Sequence, residues 1–170
     1  MAFSQTKTTE DLHKRFEDNS SVYFLYRSTL KMLNQTDSKE FDELIKDIEK
    51  MKFLLINKTE AAFTNIDYRK LIEGYKSESY EEMATSRFQG RDFGVYIKDR
   101  KGDVKGTVIL VNDSSSLYVL DIVGKIAVNK ATELIRAFDD NADFAEKIKD
   151  FMSEDHGKGK DEKDDHHKDK

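Results

Sequence analysis

Side chains able to do acid–base, nucleophilic or metal chemistry are few in this chain, and they seldom cluster. Asp121 stands out first, lying between Leu120 and Ile122 in the apolar run LYVLDIVGKI. A carboxyl enclosed in such surroundings has its pKa raised and can serve as a general acid or base. Simple strand alternation gives the competing expectation, an Asp121 on the solvent face beside Val119 and Val123. Glu81 and Glu82 are adjacent at a strand start, so their side chains point to opposite faces and cannot share a proton unless the strand bulges. Asp139 and Asp140 fall in a break between two helical patterns, where capping accounts for them. Carboxylates about 5–10 Å apart across a cleft would instead point to a hydrolase using Asp121 or Glu82, by analogy with glycosidase geometry.

Of the four histidines, only His13 lies outside the C-terminal tail. It stands beside Leu12 on a short predicted helix and is expected at the surface. His156, His166 and His167 have acidic neighbours; a flexible tract of this kind can hold Zn²⁺ or Ni²⁺ weakly, which would make the protein a metal buffer. The competing reading is a solvating tail of mixed charge. The sequence contains no Gly-x-Ser-x-Gly turn, no Gly-rich Lys-Ser/Thr phosphate loop and no zincin-type His pair. With no Cys, disulfides, thiolate metal sites and a cysteine nucleophile are excluded. No cofactor is expected and no enzyme class is assigned. Tyr23, Tyr96 and Tyr118 lie in three different predicted strands. Sharing a face, they would floor a groove for a peptide or sugar; otherwise each bridges core and solvent with its hydroxyl wet.

These side chains must be positioned by a chain of 170 residues, most simply one domain with tails. The net charge is −5, of which −2 belongs to residues 154–170, leaving −3 for the rest. A mildly acidic body lacks the concentrated basic surface that phosphate backbones require, so no nucleic-acid partner is expected. No apolar run approaches the ~18 residues that a membrane-spanning helix needs. Pro is absent too, so turns fall to Gly, Asn, Asp and Ser.

Residues 80–126 carry four β-rich runs separated by short polar connections, as an antiparallel meander requires. In the run TVILV at 107–111 every residue is apolar or β-branched, so both its faces are expected to be covered. Phe93, Val95 and Ile97 alternate with Tyr96 and Lys98. Upstream, Thr8 or Thr9 caps a short helix bearing Leu12 and Phe16, and residues 21–26 (SVYFLY) read as a strand. A helix over 37–51 follows, with Phe41, Leu44, Ile45, Ile48 and Met51 at helical spacing, then a strand over 52–57. That strand–helix–strand unit suggests parallel pairing, or placement one strand apart. After a polar link at 58–63, Thr64 or Asn65 opens a helix whose apolar side is Ile66, Leu71, Ile72 and Tyr75. Beyond the meander, Asn129 caps a helix bearing Ala131, Leu134, Ile135 and Phe138; Phe144, Ile148, Phe151 and Met152 mark a last amphipathic segment. After Met152 there is no Val, Ile, Leu, Phe, Tyr or Met, so residues 154–170 are expected to be disordered. The expected fold is therefore α+β over 8–153: a mostly antiparallel sheet, formed by the four-strand meander and the strand–helix–strand unit, with helices packed on one face.

At the other end, Ala2 and Ser4 are small residues two apart, the pattern a signal peptidase reads before its cut, which would leave Gln5 as the new start. Residues 1–7 are thus either a signal-peptide remnant or a disordered N-terminus.

The segments SVYFLYRSTLKML at 21–33, YEEM at 80–83 and VYIKDRKGDVKGTVILVND running into LYVLDIVGKI resemble one family. It is the domain of unknown function numbered 4252, found in small envelope proteins of Bacteroidota, and the likeness covers roughly residues 10–138. The resemblance implies export to the periplasm or cell envelope, often as a lipoprotein, and a genetic setting near envelope-stress regulators. This chain departs from lipoprotein members in having no cysteine, and the family brings no catalytic residues with it. The resulting expectation is a non-catalytic envelope module that binds a protein, a peptide or an envelope ligand. The alternatives are the carboxylate-dependent hydrolase and the metal buffer acting through the tail.

Overall fold

Six strands form one antiparallel sheet in the computed structural model, which describes residues 6–33 and 39–126. All of them belong to the unit formed by residues 1–134. In chain order the elements are α1 (Lys7–Arg15), a 3₁₀ turn (Glu17–Asn19), β1 (Ser20–Tyr26), α2 (Arg27–Leu33), α3 (Lys39–Ile45) and β2 (Ile48–Asn57). There follow α4 (Lys58–Ala61), α5 (Asn65–Ser77), β3 (Glu81–Phe88), β4 (Arg91–Arg100), β5 (Asp103–Asn112) and β6 (Ser116–Gly124). The strand order is β1-β2-β6-β5-β4-β3. No helix among the described residues is long and apolar enough to cross a membrane.

The expected α+β fold and its four-strand meander are present, and local turn chemistry explains the meander. Gln89-Gly90 and Lys101-Gly102 both have positive φ at each residue, the type I′ geometry that matches the twist of a two-residue hairpin. Glycine takes that conformation without a Cβ penalty. The β5–β6 turn is held by Asp113, whose Oδ1 accepts from the Ser115 and Ser116 backbone N–H groups at 2.8 and 2.7 Å.

The strand–helix–strand expectation is corrected. β1 and β2 are antiparallel neighbours, with Tyr23 opposite Phe53. The helix expected over 37–51 ends at Ile45, and β2 already begins at Ile48. A β-bulge between Ile48 and Lys50 is the cause. It inserts Glu49 as an extra residue, so Ile48 and Met51 lie opposite Gly124 and Ile122, two positions on β6 that share a face. Three-residue spacing on one face, a helical signature elsewhere, is here a bulged strand. A seven-residue α3 is about 10 Å long at 1.5 Å per residue. The ten-residue β2 runs antiparallel to β1, so no crossover along the sheet is needed. The expected polar link at 58–63 contains α4, capped by the Asn57 side chain.

Helices α1 and α5 cover one sheet face, with Leu12, Phe16, Leu71 and Tyr75 packed on Leu54, Ile56, Val108, Leu110 and Val119. Ile66, expected on the apolar side of α5, is 61% exposed, and Tyr68 packs against the core in its place. On the other sheet face, Tyr23, Phe53, Leu120, Ile109 and Val95 stand in one cross-strand row.

Candidate functional site

The first turn of a helix leaves backbone N–H groups without intrahelical partners. In α1 they are taken up by two carboxylates distant in sequence. Asp121 on β6 accepts the Thr6 backbone N–H at 3.0 Å on Oδ2, and the Thr6 hydroxyl lies 2.8 Å from the same oxygen. Glu78, at the C-cap of α5, accepts the Lys7 and Thr8 backbone N–H groups on its two oxygens, each at 2.9 Å, and also the Thr8 hydroxyl. Thr6 is the N-cap itself, its Oγ1 accepting the Thr9 N–H at 3.1 Å. Placing negative charge here also complements the positive end of the helix dipole. The two helices approach closely because residue 74 is glycine: a Cβ there would meet Thr8 Cγ2 at 2.8 Å.

Behind Asp121 runs a chain of hydroxyls. Tyr75 Oη and Thr9 Oγ1 are 2.7 Å apart, and Thr9 Oγ1 lies 2.7 Å from Thr6 Oγ1. With Tyr75 donating to Thr9 and Thr6 to Asp121, the hydroxyls form one continuous chain that ends on the carboxylate. Burial raises the Asp121 carboxyl above its usual range, while the hydrogen bonds from Thr9 and Thr6 pull it down. Burial likewise holds the Tyr75 phenol well above its ordinary value.

Asp121 is therefore not a solvent-face residue; it is 1% exposed. Alternation does put it on one face with Val119 and Val123, but α1 covers that face. Its Oδ2 is committed to the helix N-terminus, and its Oδ1 has no hydrogen-bond partner. The groove nearby, about 330 Å³ between α1 and α5, is lined by Leu12, Phe16, Phe63 and Leu71 with Arg15, Asp67 and Lys70 among its polar neighbours, and not by Asp121. What this carboxyl does chemically is hold a helix on a sheet. Replacing Glu78 tests the other half of the clamp. Glu78→Ala leaves two first-turn N–H groups without their acceptors and should cost about 0.5–2 kcal/mol, the range for a lost cap. Urea unfolding measures it, and faster amide exchange at Lys7 and Thr8 locates it; unchanged exchange there would put the loss elsewhere.

The three tyrosines do not share a face. Tyr23 and Tyr118 flank Phe53 at ring-centroid distances of 6.0 and 6.2 Å. Tyr96 is on the opposite face, buried and stacked on Tyr75 at 6.5 Å, so no common groove floor exists. Glu81 and Glu82 pair with Ile97 and Tyr96 and so face opposite sides of the sheet. His13 is half-buried rather than fully at the surface, and burial, then the Lys52 charge, lowers its pKa against the opposing charge of Glu17. Asp139, Asp140, His156, His166 and His167 lie outside the described residues.

Sequence reading missed Thr6, Glu78 and the edge position of β1. Thr6 carried a usable signal, a Thr three residues before Thr9 at a helix start. Glu78 carried none, since its partners are about seventy positions away in the chain. On β1, Phe24 and Tyr26 are 49% and 57% exposed. The Lys52 ammonium lies 5.4 Å over the Phe24 ring. β1 pairs only with β2, so its outer edge is open among the described residues.

A family model described as Domain of unknown function (DUF4252) matches residues 7–134. The chain belongs to this family. The match runs from the first residue of α1 past the end of β6, so the DUF4252 region contains both clamp carboxylates, Asp121 and Glu78, and all six strands. No curated protein and no solved structure matches the chain.

Proposed function

We propose that this member of the DUF4252 family is a non-catalytic binding module of the cell envelope that recognises an extended polypeptide along the edge of β1. The observation that carries the reading is the pair Phe24 and Tyr26, two large rings standing in solvent on a strand whose outer edge is unpaired among the described residues. Strand addition at such an edge draws affinity from main-chain hydrogen bonds and selectivity from alternate side chains. Large aromatic rings supply contact area at low conformational cost, and the Tyr26 hydroxyl adds a polar group. The clamp supports the same reading from the other side, because the most enclosed carboxyl of the described sheet is engaged in holding α1. Envelope location rests on the family resemblance.

The test uses a photo-reactive phenylalanine analogue in cells. At position 24 it should cross-link a polypeptide, and at position 66, comparably exposed on α5, it should not. Equal capture at both positions would remove β1 as the recognition edge. Recovery of the protein in the cytoplasmic fraction would remove the envelope half.

A further inference from the structure

We infer that the polypeptide taken up by β1 is the β1 strand of a second copy of this chain, paired antiparallel about a two-fold axis through Tyr23. This rests on the reading of β1 as a binding edge and names its partner.

The two edges of the sheet are treated differently. β3 has a bulge between Glu82 and Ala84 and carries Glu81, Glu82 and Arg87, devices that discourage pairing with another chain. β1 has none of them: its register against β2 is unbroken from Ser20 to Tyr26, and SSVYFLY contains no charge. An edge so unguarded is either an aggregation hazard or an interface.

The strand is complementary to itself. Antiparallel pairing centred on Tyr23, the middle residue of β1, uses all seven positions. It sets Val22 opposite Phe24 of the second copy, Ser21 opposite Leu25 and Ser20 opposite Tyr26. The exposed Phe24 ring thus meets a β-branched side chain, a favourable cross-strand pair, and it does so twice. The ends complement each other in charge. Glu17 and Asp18 stand exposed just before β1, and just after it stands Arg27, exposed overall with its Nε donating to the Ile48 carbonyl at 3.0 Å. The same axis brings Arg27 of each copy to the acidic start of β1 in the other. Lys50 and Lys52 lie on β2, one strand inward, with the Lys52 ammonium held over the Phe24 ring of its own copy.

The experiment exploits the absence of cysteine from the chain. On the axis, paired Cα atoms are about 4.5–5.5 Å apart, inside the range of about 4.4–6.8 Å that a disulfide bridges. Oxidised Tyr23→Cys should therefore form a covalent dimer. Ser21→Cys should not, because its two copies are offset by four residues, about 13 Å. In sedimentation equilibrium the unmodified 170-residue chain should dimerise. Phe24→Lys should raise the dissociation constant about two- to thirtyfold, the size of change that loss of the two symmetry-related cross-strand pairs produces. Its far-UV spectrum should be unchanged, because the side chain is half in solvent. A chain that stays monomeric at millimolar concentration, or cross-links at 21 as readily as at 23, overturns the inference. If a different polypeptide is captured from position 24, the second copy is wrong and the β1 reading survives. If position 24 captures nothing, both are wrong.

Discussion

Ile109→Asp is expected to yield no cooperatively folded protein. Ile109 is fully buried, flanked in its row by Leu120 on β6 and Val95 on β4. The row continues through Phe53 to Tyr23, so it crosses the sheet from β4 to the β1 edge. An aspartate there would stand between Leu120 and Val95 with no cation in the row, and burying an unpaired charge costs several kcal/mol even after relaxation. Domains of this size have only about 5–15 kcal/mol in hand. Ile109→Val is the control: it keeps the β-branch, removes one methylene and should cost about 0.5–1.5 kcal/mol. Both are read by near-UV circular dichroism and urea unfolding. A soluble Ile109→Asp variant with a sharp transition would mean that β5 presents its other face to this side of the sheet.

The meander was legible because its information is local. Gly90, Gly102 and Asp113 sit where hairpin and loop geometry demand them, and the apolar runs between them have strand length. Thr64 was legible for the same reason, its capping box with Asp67 lying within four residues. What failed was non-local or masked by an irregularity. The bulge at Glu49 made a strand imitate helical spacing. The pairing of β2 with β6 puts Lys52 beside Asp121 across more than sixty residues, and no pattern in either segment announces it. Alternation grouped Asp121 with Val119 and Val123 correctly, yet strand periodicity cannot tell a face covered by helices from one facing water. That choice depends on where α1 docks, which depends on Asp121 itself. Tyr96 went wrong in the same way: its strand was right, but Tyr75 from α5 covers the side expected to be open.

Asp121→Ala should lower stability at neutral pH by about 1–3 kcal/mol, the cost of leaving buried donors without an acceptor. The donors are the Thr6 N–H and hydroxyl, and no other described carboxylate reaches them. Asp121→Asn keeps one acceptor oxygen for both and should cost less. The pH dependence separates these effects from simple packing. Burial raises the folded-state pKa of Asp121 above its unfolded value. The folded protein thus holds this proton more tightly than the unfolded chain does. The stability it contributes is fully present below the unfolded value of about 4 and is lost as pH rises through the folded one. The carboxamide of the Asp121→Asn variant does not titrate, so the gap between wild type and variant should shift in favour of the variant as pH rises across that window. Asp67, held low chiefly by the Thr64 backbone N–H, and Asp103, held low by Lys105, act with the opposite sign. Both carboxyls are common to the two proteins, so their contributions cancel in the difference. Urea midpoints at half-unit steps from pH 3 upward give the curve. If the two proteins run parallel throughout, the carboxyl titrates as an exposed one and α1 is not seated over it.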